Sequence, residues 1–266
     1  GAEPARQPRR RPRPRRFRNA IIRGVAGQSH ASRSTAIEDY AKAIYALETS
    51  GGGAVTTNAL AERLGVTAGS ASGMVRKLDE LGLVTHVPYK GVVLTESGRR
   101  VALEVLRHHR LLELYLAESL GVPWDRVHAE AEVLEHHISE ELEELIAARL
   151  GDPTHDPHGD PIPTRELTID EGASVSLASL EQGARGRFTR ISDQDPEMLR
   201  YLSDRGISPG DTFEVADKQP FDGPLFVRFS STGDELHALG GALAAAMRVE
   251  LDDDRSRRDG EAPGTL

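Results

Sequence analysis

Four side chains spaced i, i+4, i+7 and i+8, namely His128, Glu132, Glu135 and His136, carry the most chemistry in this sequence. At about 100° per residue they fall on one face of a helix predicted over Trp124 to His137. Two imidazoles and two carboxylates on one stripe offer a divalent cation nitrogen and oxygen donors. The preceding predicted helix adds His109 and Glu113, again at i and i+4. Packed antiparallel, the two helices could point these ligands into a shared space. Donors of this hardness suit Mn(II), Fe(II), Co(II) or Zn(II), and the carboxylates tilt the choice toward Mn(II). The bland alternative is a solvated acidic face, because a His/Glu pair at i, i+4 is more often a surface pair than a ligand set. His137 points about 100° away from the stripe. His155 and His158 fall in a linker and read as incidental, and His30, His86, His108 and His237 show no partner pattern.

Enzyme chemistry finds less support. A di-iron bundle wants Glu-x-x-His on two helices, but Glu132 has Glu135 three residues later. The His-Glu-x-x-His motif of zinc hydrolases is absent. The chain has no cysteine, which excludes disulfides, thiolate zinc sites and a cysteine nucleophile. The expectation is a protein that is not an enzyme.

Upstream of the metal stripe lies a pattern suited to DNA. Helices predicted over about Thr57 to Leu64 and from Thr67 to Leu81 flank a turn at Gly65-Val66. Two short strands follow, Leu83 to Val87 and Gly91 to Thr95, which completes a winged helix-turn-helix plan. The second helix opens on small and hydroxylated residues, among them Thr67, Gly69, Ser70 and Ser72, which suit close approach to phosphate. Arg76 and Lys77 add charge one turn on, and Lys90 sits at the wing tip. Leu60, Leu64, Val66, Met74, Val75, Leu78 and Leu81 are the expected buried side. No long Arg, Asn or Gln stands at the helix start to read base edges, so specificity is expected to lean on Thr/Ser contacts, water or DNA shape.

These units need positioning elements. The formal net charge is −9, yet charge is segregated: Arg-rich over Arg9 to Arg18, acidic from Glu130 to Glu144. DNA binding follows the local field of one face, so the negative total does not exclude it. Residues 1–33 read as a disordered basic tail; Arg15-Arg16-Phe17 lacks the apolar run and cleavage site of an export signal. Order is expected from Thr35, with Glu38 completing a capping box, and Gly51-Gly52-Gly53 ends that first helix. Helices over Glu96 to Ser119, Trp124 to His137 and Ser139 to Leu150 precede a Pro/Gly/Asp/His linker, Gly151 to Pro163. Ala173 to Leu251 reads as a small, partly open β barrel interrupted by one helix near Pro196 to Arg205, and residues 252–266 as a frayed tail. No run of about 18 apolar residues occurs, so no membrane partner is expected.

With these residues assembled, the chain resembles the diphtheria toxin repressor family, and within it the manganese transport regulators. The resemblance covers about Thr35 to Leu251. It rests on Glu38-Asp39-Tyr40 to Glu48, the helix-turn-helix, His109-Arg110-Leu111-Leu112-Glu113, Val127-His128 to Glu135-His136, and Gly159-Asp160-Pro161-Ile162-Pro163. It implies a mainly α fold with a small β domain. The parts would be a winged helix-turn-helix over 34–96, a helical dimerisation and metal-binding domain over 97–165, and an SH3-like, FeoA-like barrel over 170–251. It further implies a primary metal site at Asp39, Glu132, Glu135 and His136, and an ancillary one at His109, Glu113 and His128. Asp193, or less well Gln194, would add an oxygen ligand to the second. Iron-type members use Met and Cys where this chain has Asp39 and Glu132, which favours Mn(II). Short manganese regulators carry a Glu where this chain has Lys42, which favours two separate sites over a closely paired one. The implied protein is a cytoplasmic, Mn(II)-dependent homodimeric repressor of manganese uptake genes, bound to a palindromic operator. The rivals are an iron-responsive repressor of the same fold and a metal-independent winged-helix interaction protein.

Overall fold

A computed structural model describes residues 30–191, 195–221 and 223–252 of the chain. Helix α1 (His30–Gly51) starts five residues before Thr35, so Thr35 lies inside it and not at its N-cap. Residues 30–33, expected in the disordered tail, belong to this helix, and the rest of the Arg-rich tail lies outside the described residues. Tyr40, Ala41, Ile44 and Tyr45 bury one face of α1. Helices α2 (Thr57–Arg63) and α3 (Ala68–Glu80) are each started by a threonine. Thr56 accepts from Ala59 N and Thr67 from Ser70 N, supplying partners that the first helical turn lacks. Val75 and Leu78 enter the core with Leu60, and Leu64 and Met74 pack at its edge. Val66 and Leu81, expected inside, are exposed, because each follows the end of its helix at a turn.

Strands β1 (Val84–Val87) and β2 (Gly91–Leu94) form the antiparallel wing. Its root is fixed by a bridge between Val55 and Val92. Gly91 (φ +121°) is required there, since a Cβ would stand 2.0 Å from the Val55 carbonyl oxygen. Helix α4 (Glu96–Leu120) then runs from one core to the next. Its early residues Ala102 and Leu103 complete the winged-helix core, while Leu111, Leu112 and Leu114 join Ala131, Ile146 and Ala147 in another. The helix therefore spans the boundary expected near residue 97 and contributes to both cores.

Helices α5 (Val127–Leu134) and α6 (Glu140–Arg149) pack on α4. The next segment, expected as a plain linker, is pinned down. His155 bridges Pro161, the Ile191 amide donates to the His158 carbonyl, and Gly159 lies too close to Thr189 for any side chain. Beyond it, β3 (Val175–Ser176), β4 (Arg185–Ile191), β5 (Thr212–Lys218), β6 (Leu225–Phe229), β7 (His237–Leu239) and β8 (Met247–Leu251) form one antiparallel sheet in the order β3-β8-β4-β5-β6-β7. Bulges between Phe188 and Arg190 and between Val215 and Asp217 bend it around Phe188, Phe229, Ile191 and Leu239. Helices α7 (Pro196–Ser203) and α8 (Gly241–Ala246) flank this core, where one helix was expected. No helix among the described residues is long and apolar enough to cross a membrane.

Candidate metal centre

The predicted helix over Trp124 to His137 is shorter than expected, and the four-residue stripe is not one continuous helical face. His128 and Glu132 stand on α5, but Glu135 caps its C-terminus and His136 lies in the closing turn. Glu135 turns inward at this helix end. Its carboxylate is fully buried and meets Lys42 Nζ at 2.6 Å, His109 Nδ1, and His136 Nε2 at 3.2 Å. His136 Nε2 also lies 2.8 Å from Asp39 Oδ1, and its Nδ1 lies 2.7 Å from Glu38 Oε2. Asp39, Glu135 and His136 thus place ligand atoms within 4.8 Å of one another, joining α1 to the turn after α5.

Glu132 departs from that group. Half-exposed, it pairs with Lys42 Nζ at 2.6 Å and clusters instead with His109 and His128. His109 Nε2 is 2.8 Å and His128 Nδ1 3.1 Å from Glu113 Oε1, so the three residues expected at an ancillary site are in contact. Asp193 and Gln194 lie outside the described residues. Lys42 holds the middle, with its ammonium shared between Glu132 and Glu135.

The charges explain how so many titratable groups are tolerated. Burial lowers the pKa of His136, but hydrogen bonds with Asp39, Glu135 and Glu38 outweigh it and push the value up to about 11. Burial likewise opposes, and Glu113 and Glu135 overcome, to bring His109 up to about 9. Burial raises Glu135, yet His109, His136 and Lys42 hold it far below the usual carboxylate range. Glu113 is held low in the same way, against its burial, by His109 and His128. In this state protons and Lys42 neutralise a nest of carboxylates. A divalent cation can take over that task on releasing the imidazole protons. The donor set is nitrogen and oxygen throughout, which fits a hard or borderline metal.

Residues of the pinned segment, which sequence pattern alone marks as linker, adjoin the site. His158 is fully buried, not incidental. Its Nδ1 lies 3.8 Å from Glu113 Oε2, its Nε2 bonds the Trp124 carbonyl, and its ring stacks on Trp124. Asp156 is buried beside it, and Glu113, Asp156 and His158 form a third group with metal-ligand spacing. Burial, Asp160 and Glu113 push the Asp156 carboxyl well above its ordinary range. His155 is exposed and bonds Thr154. His108 and His237 also have partners: the first Glu143 and the Glu135 carbonyl, the second Thr232. The signal for His158 was its place between Asp156 and Gly159 in a proline-flanked turn.

On the winged helix, Thr67, Gly69, Ser70, Ser72, Arg76 and Lys90 are exposed and Lys77 is half-buried. The Thr67 hydroxyl caps α3 and lies 3.0 Å from the Ser70 hydroxyl, so it serves the helix before any ligand.

Comparison with known proteins fits this geometry. Residues 33–92 match the N-terminal DNA-binding domain of iron-dependent repressors, 95–164 their metal-binding and dimerisation domain, and 175–251 the FeoA domain. The iron-dependent repressor IdeR of Mycobacterium tuberculosis is 32% identical over 225 residues, covering 80% of this chain and 96% of IdeR. The chain belongs to the diphtheria toxin repressor family of metal-dependent transcriptional repressors. Members are DNA-binding regulators rather than enzymes. Among solved structures of the family, a manganese-dependent transcriptional repressor in complex with manganese shares 43% identity at a TM-score of 0.74, over 81% of this chain and 99% of that one. The manganese regulator SloR shares 29% at 0.66, over 81% and 98%.

Proposed function

We propose that this family member is a cytoplasmic, manganese-activated homodimer that binds a palindromic operator and represses manganese uptake. The observation that carries the reading is the meeting of Asp39 on α1 with Glu135 and His136 beyond α5. These residues would hold the ion, with Glu132 joining them once it leaves its pairing with Lys42. A bound divalent cation supplies the positive charge that keeps these carboxylates together once the imidazoles are neutral. Because Asp39 rides on the first helix of the winged unit, its engagement fixes that unit against α5, and so sets the spacing of two reading heads.

Manganese is favoured over iron because no sulfur donor stands among Asp39, Glu132, Glu135 and His136. The high identity to a manganese-dependent repressor agrees. Lys42 between Glu132 and Glu135 leaves no place there for a closely paired second ion. A second site is better sought at Glu113, with His109 and His128 on one side and Asp156 and His158 on the other; Asp193 remains a candidate donor to it. For the second copy, α4, α5 and α6 present exposed Leu120, Val133, Leu142 and Leu145. For DNA, the α3 start, Arg76, Lys77 and Lys90 are the proposed contacts, within domains spanning 34–96, 97–165 and 170–251.

The test is a titration of its own promoter DNA with Mn(II), Fe(II) or chelator present. Binding with Mn(II) alone supports the reading. Tighter binding with Fe(II) makes the protein an iron regulator, and equal binding in chelator removes the metal switch.

A further inference from the structure

His108 adjoins the proposed ligand His109 on α4 but, one residue on, faces a different direction. Its ring is buried between two other elements. Nδ1 lies 3.1 Å from the main-chain carbonyl oxygen of Glu135, and Nε2 lies 3.0 Å from Glu143 Oε2 on α6. The carbonyl belongs to the C-cap of α5, one of the acceptors that a helix end leaves unpaired. Each ring nitrogen therefore faces an acceptor oxygen on a different element. The other Glu143 oxygen takes Arg107 Nε, and Arg107 Nη1 donates to the Pro163 carbonyl at 2.6 Å. This chain of direct bonds runs from the backbone of a proposed ligand to the first turn of α6.

We infer that His108 is a positioning residue that transmits the state of the Glu135 turn to α6. The inference rests on Glu135 being a metal ligand. When its side chain is drawn toward an ion, its carbonyl must adjust. A ring bonded on both edges and buried passes that adjustment to Glu143, because it has little room to rotate alone. Leu142 and Leu145, exposed on the same helix, move with Glu143. Metal occupancy would then set the surface offered to a second copy as well as the angle of the winged helix.

Two substitutions separate the halves of the tie. In His108→Asn the amide nitrogen stands near the former Nδ1 and keeps the Glu135 carbonyl, but drops Glu143. In His108→Gln the amide stands near the former Nε2 and keeps Glu143, but drops the carbonyl. Hydrogen exchange read by mass spectrometry, in chelator and in saturating Mn(II), follows residues 127–137 and 140–149 separately in the full chain. In the wild type, Mn(II) is expected to slow exchange in both segments, that of α6 by about 10-fold, within the 5–150-fold range of ordinary coupling between sites. Both variants should keep metal-dependent slowing in 127–137 and lose it in α6, to less than about 2-fold. Equal slowing of α6 in wild type and both variants overturns the tie, as does slowing in 127–137 but not α6 in the wild type. No metal effect on 127–137 in the wild type would instead overturn the metal-site reading beneath it. Thermal unfolding of the metal-free proteins identifies a variant that has lost its fold, and the other variant then decides.

Discussion

The winged helix and the metal centre solve the problem of polar side chains in opposite ways. On the winged helix the polar groups are exposed and locally satisfied, as in Thr67 capping its own helix three residues on. In the metal centre they are buried and satisfied from far away. Lys42 and Glu135 are 93 positions apart, and His136 and Glu38 are 98 apart. A surface built from local bonds can lose one member and change little else. A buried set of mutually neutralising charges cannot, and this is what would let it act as the proposed switch.

The sharpest way to break this contrast is Glu135→Ala. The variant leaves Lys42, His109 and His136 positive around a vacated, dry position. Removing one partner of a buried ion pair costs about 3–5 kcal/mol, so the urea midpoint of the metal-free protein should fall steeply. Mn(II) affinity, read by calorimetry, should drop by more than the roughly 10–100-fold expected for losing only a supporting contact. A normal midpoint with lost affinity would mean that the charges are not interdependent in the metal-free state.

Lys42→Met is the next largest and separates two roles in one residue. The metal-free protein should be destabilised, since Glu132 and Glu135 lose their shared cation. Mn(II) should bind tighter, by about 10-fold or ~1.4 kcal/mol, because Glu132 is freed to join Asp39, Glu135 and His136. Weaker Mn(II) binding would make Lys42 a supporting contact instead of a competitor.

A pH series without metal tests the same charges by titration. His109 and His136 have folded pKa values raised from 6.5 to about 9 and about 11. Their contribution is fully present below 6.5 and is lost as pH rises through those values. Glu135 is lowered from 4.5, so its contribution is present above 4.5 and is lost as pH falls through its folded value. In chelator, the urea midpoint should therefore be highest between about pH 4.5 and 6.5 and decline toward pH 9. A midpoint that rises over that interval would show the imidazoles to be neutral.

The same contrast governs what the sequence disclosed. The helix-turn-helix and wing were legible because their signals are short-range, in Thr67, Gly65 and the alternation of the two strands. His109, Glu113 and His128 were legible because they fall one helical turn apart or on the adjoining helix, and they are in contact. Glu135 and His136 were found by a helical spacing that the structure does not keep; they converge because the helix ends at Leu134 and the turn folds inward. Asp39 came only through family resemblance, since nothing local marks it. His158 and His108 were passed over because their partners, Glu113 and Glu143, lie 45 and 35 residues away, and no periodicity within one element encodes such a meeting.

Thr67→Ala is the mildest of these changes and probes the winged helix alone. Loss of an N-cap hydroxyl costs about 1 kcal/mol, so the thermal midpoint should fall slightly, with Mn(II) affinity unchanged because the bonds of Thr67 are to its own helix, with Ser70. DNA affinity decides whether the cap has a second use. If the hydroxyl only caps, DNA affinity measured well below the midpoint should stay within about 2-fold of wild type, and Thr67→Asn, another good cap, should restore stability fully. If it also meets phosphate, Thr67→Asn should recover the midpoint but not the affinity. Arg76→Ala gives the scale for that comparison, since one lost phosphate contact lowers the salt slope of binding by about 1.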